Sequence, residues 1–123
     1  MHPNKKRLRR SMMFLNCQKP GLIKDPYIYK PDSIMLDLED AVAYAEKDSA
    51  RDLLCEAMAQ LDFGTCRVFV RINSLHTPFG EEDVRAVVPA GIRYLRLAMC
   101  ETAADVQELD GLLDAVEAEC QIP

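Results

Sequence analysis

Four strand-length apolar runs recur along this chain, at Met12 to Leu15, Ile34 to Leu38, Val68 to Ile72 and Tyr94 to Met99, with helical patterns between and after them. This alternation constrains the fold more than any other feature of the sequence. In the third run Val68, Val70 and Ile72 fall on one face, the β-branched alternation of a half-buried strand. Between the second and third runs, Ala50, Leu53, Leu54, Ala57, Met58 and Leu61 repeat at helical spacing. They predict a helix over residues 43–61 with one apolar stripe, stopped by Asp62-Phe63-Gly64. A shorter helix is expected from Glu81 to Val88, ending at Pro89-Ala90-Gly91. Another opens at Thr102 with Asp105 as its capping-box partner, and its buried stripe is expected to be Val106, Leu109, Leu113, Val116 and Cys120. The stretch with Pro20, Gly21, Pro26 and Pro31 reads as a short helix near Leu22 followed by a loop.

Strand–helix units of roughly 25–30 residues are the signature of right-handed βαβ crossovers and a parallel sheet, hence of the α/β class. Two architectures fit, an open doubly wound sheet and a closed barrel. The first run leads into Asn16-Cys17-Gln18-Lys19-Pro20-Gly21, with no dinucleotide glycine signature and no Walker loop, so the barrel is favoured. A closed (β/α)8 barrel of the TIM type takes about 250 residues. The 123 residues of this chain therefore correspond to about half of one, about four βα units. A half barrel leaves its first and fourth strands without neighbours and its inner face uncovered, so marginal stability or self-association is expected.

At 49% hydrophobic and 28% charged residues the composition is that of an ordinary globular domain. No run approaches the roughly 18 apolar residues of a membrane span. The N-terminal apolar stretch Ser11-Met12-Met13-Phe14-Leu15 is too short for a secretory signal, so a cytoplasmic location and no membrane partner are expected. The five cysteines, Cys17, Cys55, Cys66, Cys100 and Cys120, show neither CxxC pairing nor metal-ligand spacing and read as scattered reduced thiols. Of 15 basic residues, Lys5, Lys6, Arg7, Arg9 and Arg10 crowd the first ten positions, leaving 10 basic against 20 acidic residues beyond. Residues 1–10 read as a solvated, disordered basic leader and 11–123 as the barrel portion. No nucleic-acid-binding motif or aromatic platform follows the leader, so no nucleic-acid partner is expected.

In parallel barrels the chemistry sits at the C-terminal ends of the strands. The second run ends in Leu36-Asp37-Leu38-Glu39-Asp40, where alternation places Asp37 and Glu39 on one face. The third ends in Val70-Arg71-Ile72-Asn73, where it places Arg71 and Asn73 together. Two readings stand side by side. Arg71 offers a rigid donor fork to a substrate carboxylate, and the acidic residues hold waters on a hard cation such as Mg2+. Alternatively, Arg71 forms an ion pair with Asp37 or Glu39 that fixes the barrel interior, and one arrangement can serve both ends. His76, in the loop after the third run, is a lone and weak signal for acid–base work.

Several segments share order and spacing with a known family: Arg10-Ser11-Met12-Met13-Phe14, LDLEDAV from Leu36 to Val42, Glu46-Lys47-Asp48-Ser49-Ala50-Arg51, VRIN from Val70 to Asn73, and Arg96-Leu97. From about Arg9 onward the chain resembles the N-terminal half, about four βα units, of the HpcH/HpaI aldolase and citrate lyase family barrel, in particular of its citrate lyase beta subunit branch. The resemblance implies a TIM-type barrel and a Mg2+-dependent carbon–carbon lyase that cleaves a citryl thioester, on acyl carrier protein or CoA, to oxaloacetate and an acetyl thioester. It implies acyl carrier protein and the other citrate lyase subunits as partners. Arg71, with Asn73 and Asp37, would bind substrate. Glu39 and Asp40 would be catalytic and meet the metal through water, the direct ligands lying on later strands beyond Pro123. A chain truncated in this way is expected to be inactive alone. A malyl-CoA-type lyase and a non-catalytic module docking on citrate lyase subunits are the alternatives. The sequence departs from the family at Asn16-Cys17, where a Pro-Gly pair is usual, and at Met99, where a lysine is usual.

Overall fold

The computed structural model describes residues 10–17, 31–61, 63 and 66–122. Strand β1 (Met12–Asn16) is followed by β2 (Ser33–Asp37), a 3-10 turn (Tyr44–Glu46), helix α1 (Lys47–Gln60), β3 (Arg67–Ile72), α2 (Gly80–Val87), β4 (Tyr94–Leu97) and α3 (Ala103–Glu119). The helix expected near Leu22 and positions 1–9 of the basic leader lie outside the described residues. Arg10 is tied down: its guanidinium pairs with Asp32 at 3.2 Å, and the amides of Arg10 and Ser11 donate to the same carboxylate.

The four strands form one parallel sheet in the order β1-β2-β3-β4. A doubly wound sheet has a switch point at which strand order reverses. Here the order is strictly sequential, with no such reversal among the described strands. One face carries the core. Leu15, Ile34, Leu36, Val70 and Ile72 pack with Leu38 against Ala50, Leu54 and Ala57 of α1, Val84 and Val87 of α2, and Val116 of α3. Burial of these side chains, at roughly 25 cal/mol per Å² of apolar surface, is what holds the helices to the sheet.

The opposite face is built in register layers. Phe14, Met35, Phe69 and Tyr94 align across all four strands, and Asn16, Asp37, Arg71 and Arg96 form the next layer toward the C-terminal edge. The apolar layer is incompletely covered, with Phe14 46% and Tyr94 37% exposed. The sheet is thus apolar through its middle and charged along the rim where chemistry is expected.

Two expectations are corrected. The fourth strand stops at Leu97, because Met99 takes φ 56 in the turn that follows. The stripe of α3 is buried only at Val116, while Leu109 and Leu113 are half-buried and Val106 and Cys120 exposed. Among the element pairs in closest contact that helix meets α2, and Leu109, Leu112 and Leu113 flank the core with only part of their surface covered. The capping box at Thr102 and Asp105 forms as predicted.

Gly80, first residue of α2, sits where the helix backs onto the end of β3. A Cβ there would stand 2.3 Å from the Ser74 carbonyl oxygen and 2.8 Å from that of Asn73. Both are backbone atoms and cannot swing aside. Gly80→Ala is therefore expected to destabilise the fold by about 1–3 kcal/mol. Urea denaturation checks this, and an unchanged midpoint would show that the β3–α2 junction has slack.

Candidate functional site

Asp37 ends β2 and Arg71 sits opposite it in register on β3. Arg71 Nε donates to Asp37 Oδ1 at 2.9 Å and Nη2 donates to Oδ2 at 2.6 Å, a bidentate pair. The backbone amides of Glu39 and Ala41 also donate to Asp37, at 2.9 and 3.2 Å. Asp37 is 1% exposed. Burial pushes its carboxyl up, but the Arg71 fork and the two amides outweigh that and hold it below the usual carboxylate range. With four donors on two oxygens, Asp37 has no lone pair in good geometry left for a metal or a substrate proton. It acts on any ligand through Arg71.

Arg71 is held on two more sides. Its Nε lies 3.8 Å from Glu39 Oε1, and its guanidinium carbon stands 5.2 Å from the Phe14 ring centroid. The Nη1 group makes no hydrogen bond among the described residues. Arg71 thus presents a fixed, always-charged donor edge at the sheet's C-terminal rim. It lines an open cleft of about 430 Å³ with Phe14, Asn16, Asp37 and Asp40. Arg96 adds a second cation, 6.0 Å from the same Phe14 ring.

Glu39 is half-buried and Asp40 exposed. Burial raises the Glu39 carboxyl above its ordinary range, and the neighbouring Asp40 carboxylate raises it further, against a smaller opposing pull from Arg71. The loop that carries both is held by its carbonyls. Lys47 Nζ donates to the Leu38 and Glu39 oxygens at 3.2 and 2.8 Å, and Asn73 Nδ2 donates to the Leu38 oxygen at 2.9 Å.

Of the five residues singled out from sequence, Asp37, Arg71, Glu39 and Asp40 come together at one rim. Asn73 does not line the cleft. Strand β3 ends at Ile72, so the alternation that placed Asn73 beside Arg71 no longer applies. Its side chain turns inward at 3% exposure and bonds to Asp83 Oδ2 at 2.7 Å as well as to Leu38. Asp83 in turn receives Arg51 Nε at 2.9 Å, a buried pair that links α1, α2 and the end of β3. Both ion-pair partners left open by spacing are present, Asp37 closely and Glu39 at long range. Sequence reasoning missed Lys47, which reads as a solvated residue at a helix start, and Phe14, which reads as core. Cys17, Cys55, Cys100 and Cys120 form no disulfide among the described residues, and burial together with Asp37 pushes the Cys17 thiol up to about 12, which leaves it inert. Among the described residues no helix is long and apolar enough to cross a membrane.

Because the folded Asp37 carboxyl titrates below its unfolded value, its contribution is fully present above about pH 4 and is lost as pH falls through the folded value. Arg71→Met should remove that contribution. The stability gap between wild type and Arg71→Met is therefore expected to be large at pH 7 and to shrink toward pH 3. Urea midpoints at the two pH values measure it, and a gap that does not change with pH would mean that Asp37 titrates normally.

Comparison with known proteins bears on what this rim serves. Residues 10–122 match the sequence profile described as HpcH/HpaI aldolase/citrate lyase. The citrate lyase subunit beta of Leuconostoc mesenteroides subsp. cremoris is 51% identical over 116 residues, covering 94% of this chain and 38% of that protein. The L-malyl-CoA/beta-methylmalyl-CoA lyase of Rhodobacter capsulatus is 36% identical over 119 residues, covering 94% of this chain and 37% of the relative. Among solved structures, the citrate lyase beta subunit complexed with oxaloacetate and magnesium from M. tuberculosis superposes with a TM-score of 0.65 at 34% identity, covering 85% of this chain and 46% of that one. The chain thus spans about two fifths of the length of the curated relatives it matches.

Proposed function

The chain belongs to the HpcH/HpaI aldolase/citrate lyase family, and on that premise we propose that it supplies the first βα units of a citrate lyase beta subunit-like barrel. In this reading the four sequential strands are the first half of a closed (β/α)8 barrel. The partly exposed Phe14 and Tyr94 belong to its interior, which the remaining strands would complete. The activity is cleavage of a citryl thioester to oxaloacetate and an acetyl thioester, in the cytoplasm, with acyl carrier protein and the other citrate lyase subunits as partners. Without the later strands of such a barrel, these four βα units are expected to self-associate rather than turn over.

The observation that carries this reading is the Arg71 fork, pinned by Asp37, lining the open cleft and with no hydrogen bond at Nη1 among the described residues. A pre-oriented guanidinium at a barrel rim suits a dicarboxylate of the oxaloacetate type, and Arg96 is placed for a second carboxylate. Asp37 serves as the orienting group, and Asn73 contributes by holding the Leu38 carbonyl beneath the acidic loop.

Glu39 and Asp40 fit a share in a Mg2+ site. They are adjacent oxygen donors, one exposed and one half-buried, and their mutual repulsion is relieved by a hard cation. Through water they would complete a coordination set whose direct ligands come from later strands. The bound ion supplies Lewis-acid polarisation of the oxo acid. In the cleavage, the substrate hydroxyl loses its proton as the carbon–carbon bond breaks, and the acetyl thioester carbon gains one. A carboxyl raised above its ordinary range, as at Glu39, is suited to such proton transfer.

The malyl-CoA lyase likeness supports the same reaction class with a different acyl thioester. Isothermal calorimetry with oxaloacetate, with and without Mg2+, tests the assignment. Weak binding that requires Mg2+ is expected, weakened by about tenfold in Arg71→Lys, which keeps the charge but loses the fork. Binding equally strong in Arg71→Lys would contradict the role given to Arg71, and glyoxylate, the oxo acid a malyl thioester would release, binding better than oxaloacetate would favour the malyl reading.

A further inference from the structure

The loop after β3 and the opening turns of α3 bring three metal-ligating side chains together away from the Arg71 cleft. His76 Nε2 lies 3.1 Å from Glu108 Oε2, and a ligand atom of Asp105 lies within 4.8 Å of both. Asp105 and Glu108 are three residues apart on α3 and so share a face, which His76 meets from across the gap. We infer that His76, Asp105 and Glu108 form a site for a divalent transition metal of the Zn2+ class.

Three observations carry the inference. The first is donor chemistry. One imidazole nitrogen with two carboxylates is a three-ligand set that Zn2+ accepts, leaving a fourth position for water. It is a poor set for Mg2+, which prefers oxygen donors, so this site is chemically distinct from the one proposed beside Glu39 and Asp40.

The second is geometry. With metal–ligand bonds of about 2.0–2.2 Å, the edges of a tetrahedral site are about 3.4 Å. The His76–Glu108 separation is close to that already, and a shift of no more than about 1.4 Å by Asp105 or its partners closes the set. A cleft of about 10 Å³ opens between these three side chains, Ser74, Leu97 and Met99. That is room for about one water-sized species.

The third is support beneath the ligands. Asp105 is fixed by the amides of Glu101 and Thr102, each donating to its Oδ2 at 3.0 Å. The His76 loop is fixed by Thr77, whose amide and hydroxyl both donate to the Ser74 carbonyl, at 3.1 and 2.6 Å, and by the close approach of Gly80 to that same carbonyl. A His76–Glu108 ion pair by itself would explain one contact. The capping box at the start of α3 holds Asp105 beside that pair, so the third carboxylate reaches the same small cleft already ordered. Metal bound here would clamp the β3–α2 loop to α3 on the rim that also carries Arg71.

Zn2+ titration of the reduced full chain by calorimetry, with Co2+ as a spectroscopic substitute, tests this. A single Zn2+ per chain is expected, with affinity reduced by at least about tenfold in His76→Ala and in Glu108→Gln. Both side chains are at least half exposed, so these variants are expected to fold, and circular dichroism verifies it. Co2+ should give a visible band typical of nitrogen and oxygen ligands, without thiolate charge transfer. Arg71→Lys should leave Zn2+ binding unchanged, which separates this site from the oxo-acid cleft. Zn2+ affinity indifferent to His76→Ala, a thiolate band that moves the metal to the cysteines, or loss of binding in His2→Ala instead would each overturn the inference.

Discussion

The rim of this sheet depends on one ion pair. Asp37 is almost fully buried at the end of β2, and a carboxylate in that position is costly unless its charge is met. Arg71 meets it with two parallel hydrogen bonds from the neighbouring strand, and the Glu39 and Ala41 amides add two more. The consequences spread in both directions. Arg71 loses its rotational freedom and becomes a fixed donor edge toward the cleft. The chain after β2 is drawn into a tight turn around Asp37, which sets where Glu39 and Asp40 project.

A second polar network supports the first from below. Arg51 on α1, Asp83 on α2 and Asn73 after β3 are linked by buried hydrogen bonds, and Asn73 passes the connection to the Leu38 carbonyl. Lys47 reaches the same loop from the start of α1. The acidic loop is therefore held by its backbone, leaving its carboxylates available. Such preorganisation suits electrostatic binding of a charged ligand, because little ordering remains to be done when it arrives. The apolar layer of Phe14, Met35, Phe69 and Tyr94 lies immediately beneath, and Phe14 adds a π-face to Arg71 and Arg96.

Much of this was legible in the sequence, for identifiable reasons. Strands and helices announced themselves through hydrophobic period, and the capping box at Thr102 through spacing alone. The carboxylates and Arg71 stood out as charges at the ends of apolar strands. Their pairing was not decidable, because spacing within a strand says nothing of register between strands. Asn73 was misplaced because the two-residue period holds only while the strand lasts, and β3 ends one residue earlier. The stripe on α3 was read as wholly buried because periodicity marks an apolar face without saying whether a neighbour covers it. The Arg51–Asp83 link joins residues 32 apart and leaves no local trace. His76 was a lone histidine in sequence, and only folding sets Asp105 and Glu108 beside it.

The central claim is that Asp37 and Arg71 act as one unit. A double-mutant cycle with Asp37→Asn and Arg71→Met, read by urea denaturation at neutral pH, measures their coupling directly. The account predicts a coupling of about 1–3 kcal/mol, with the double variant more stable than the sum of the single losses implies. A coupling within about 0.3 kcal/mol of zero would mean that the two side chains contribute independently, and that Arg71 is not positioned by Asp37.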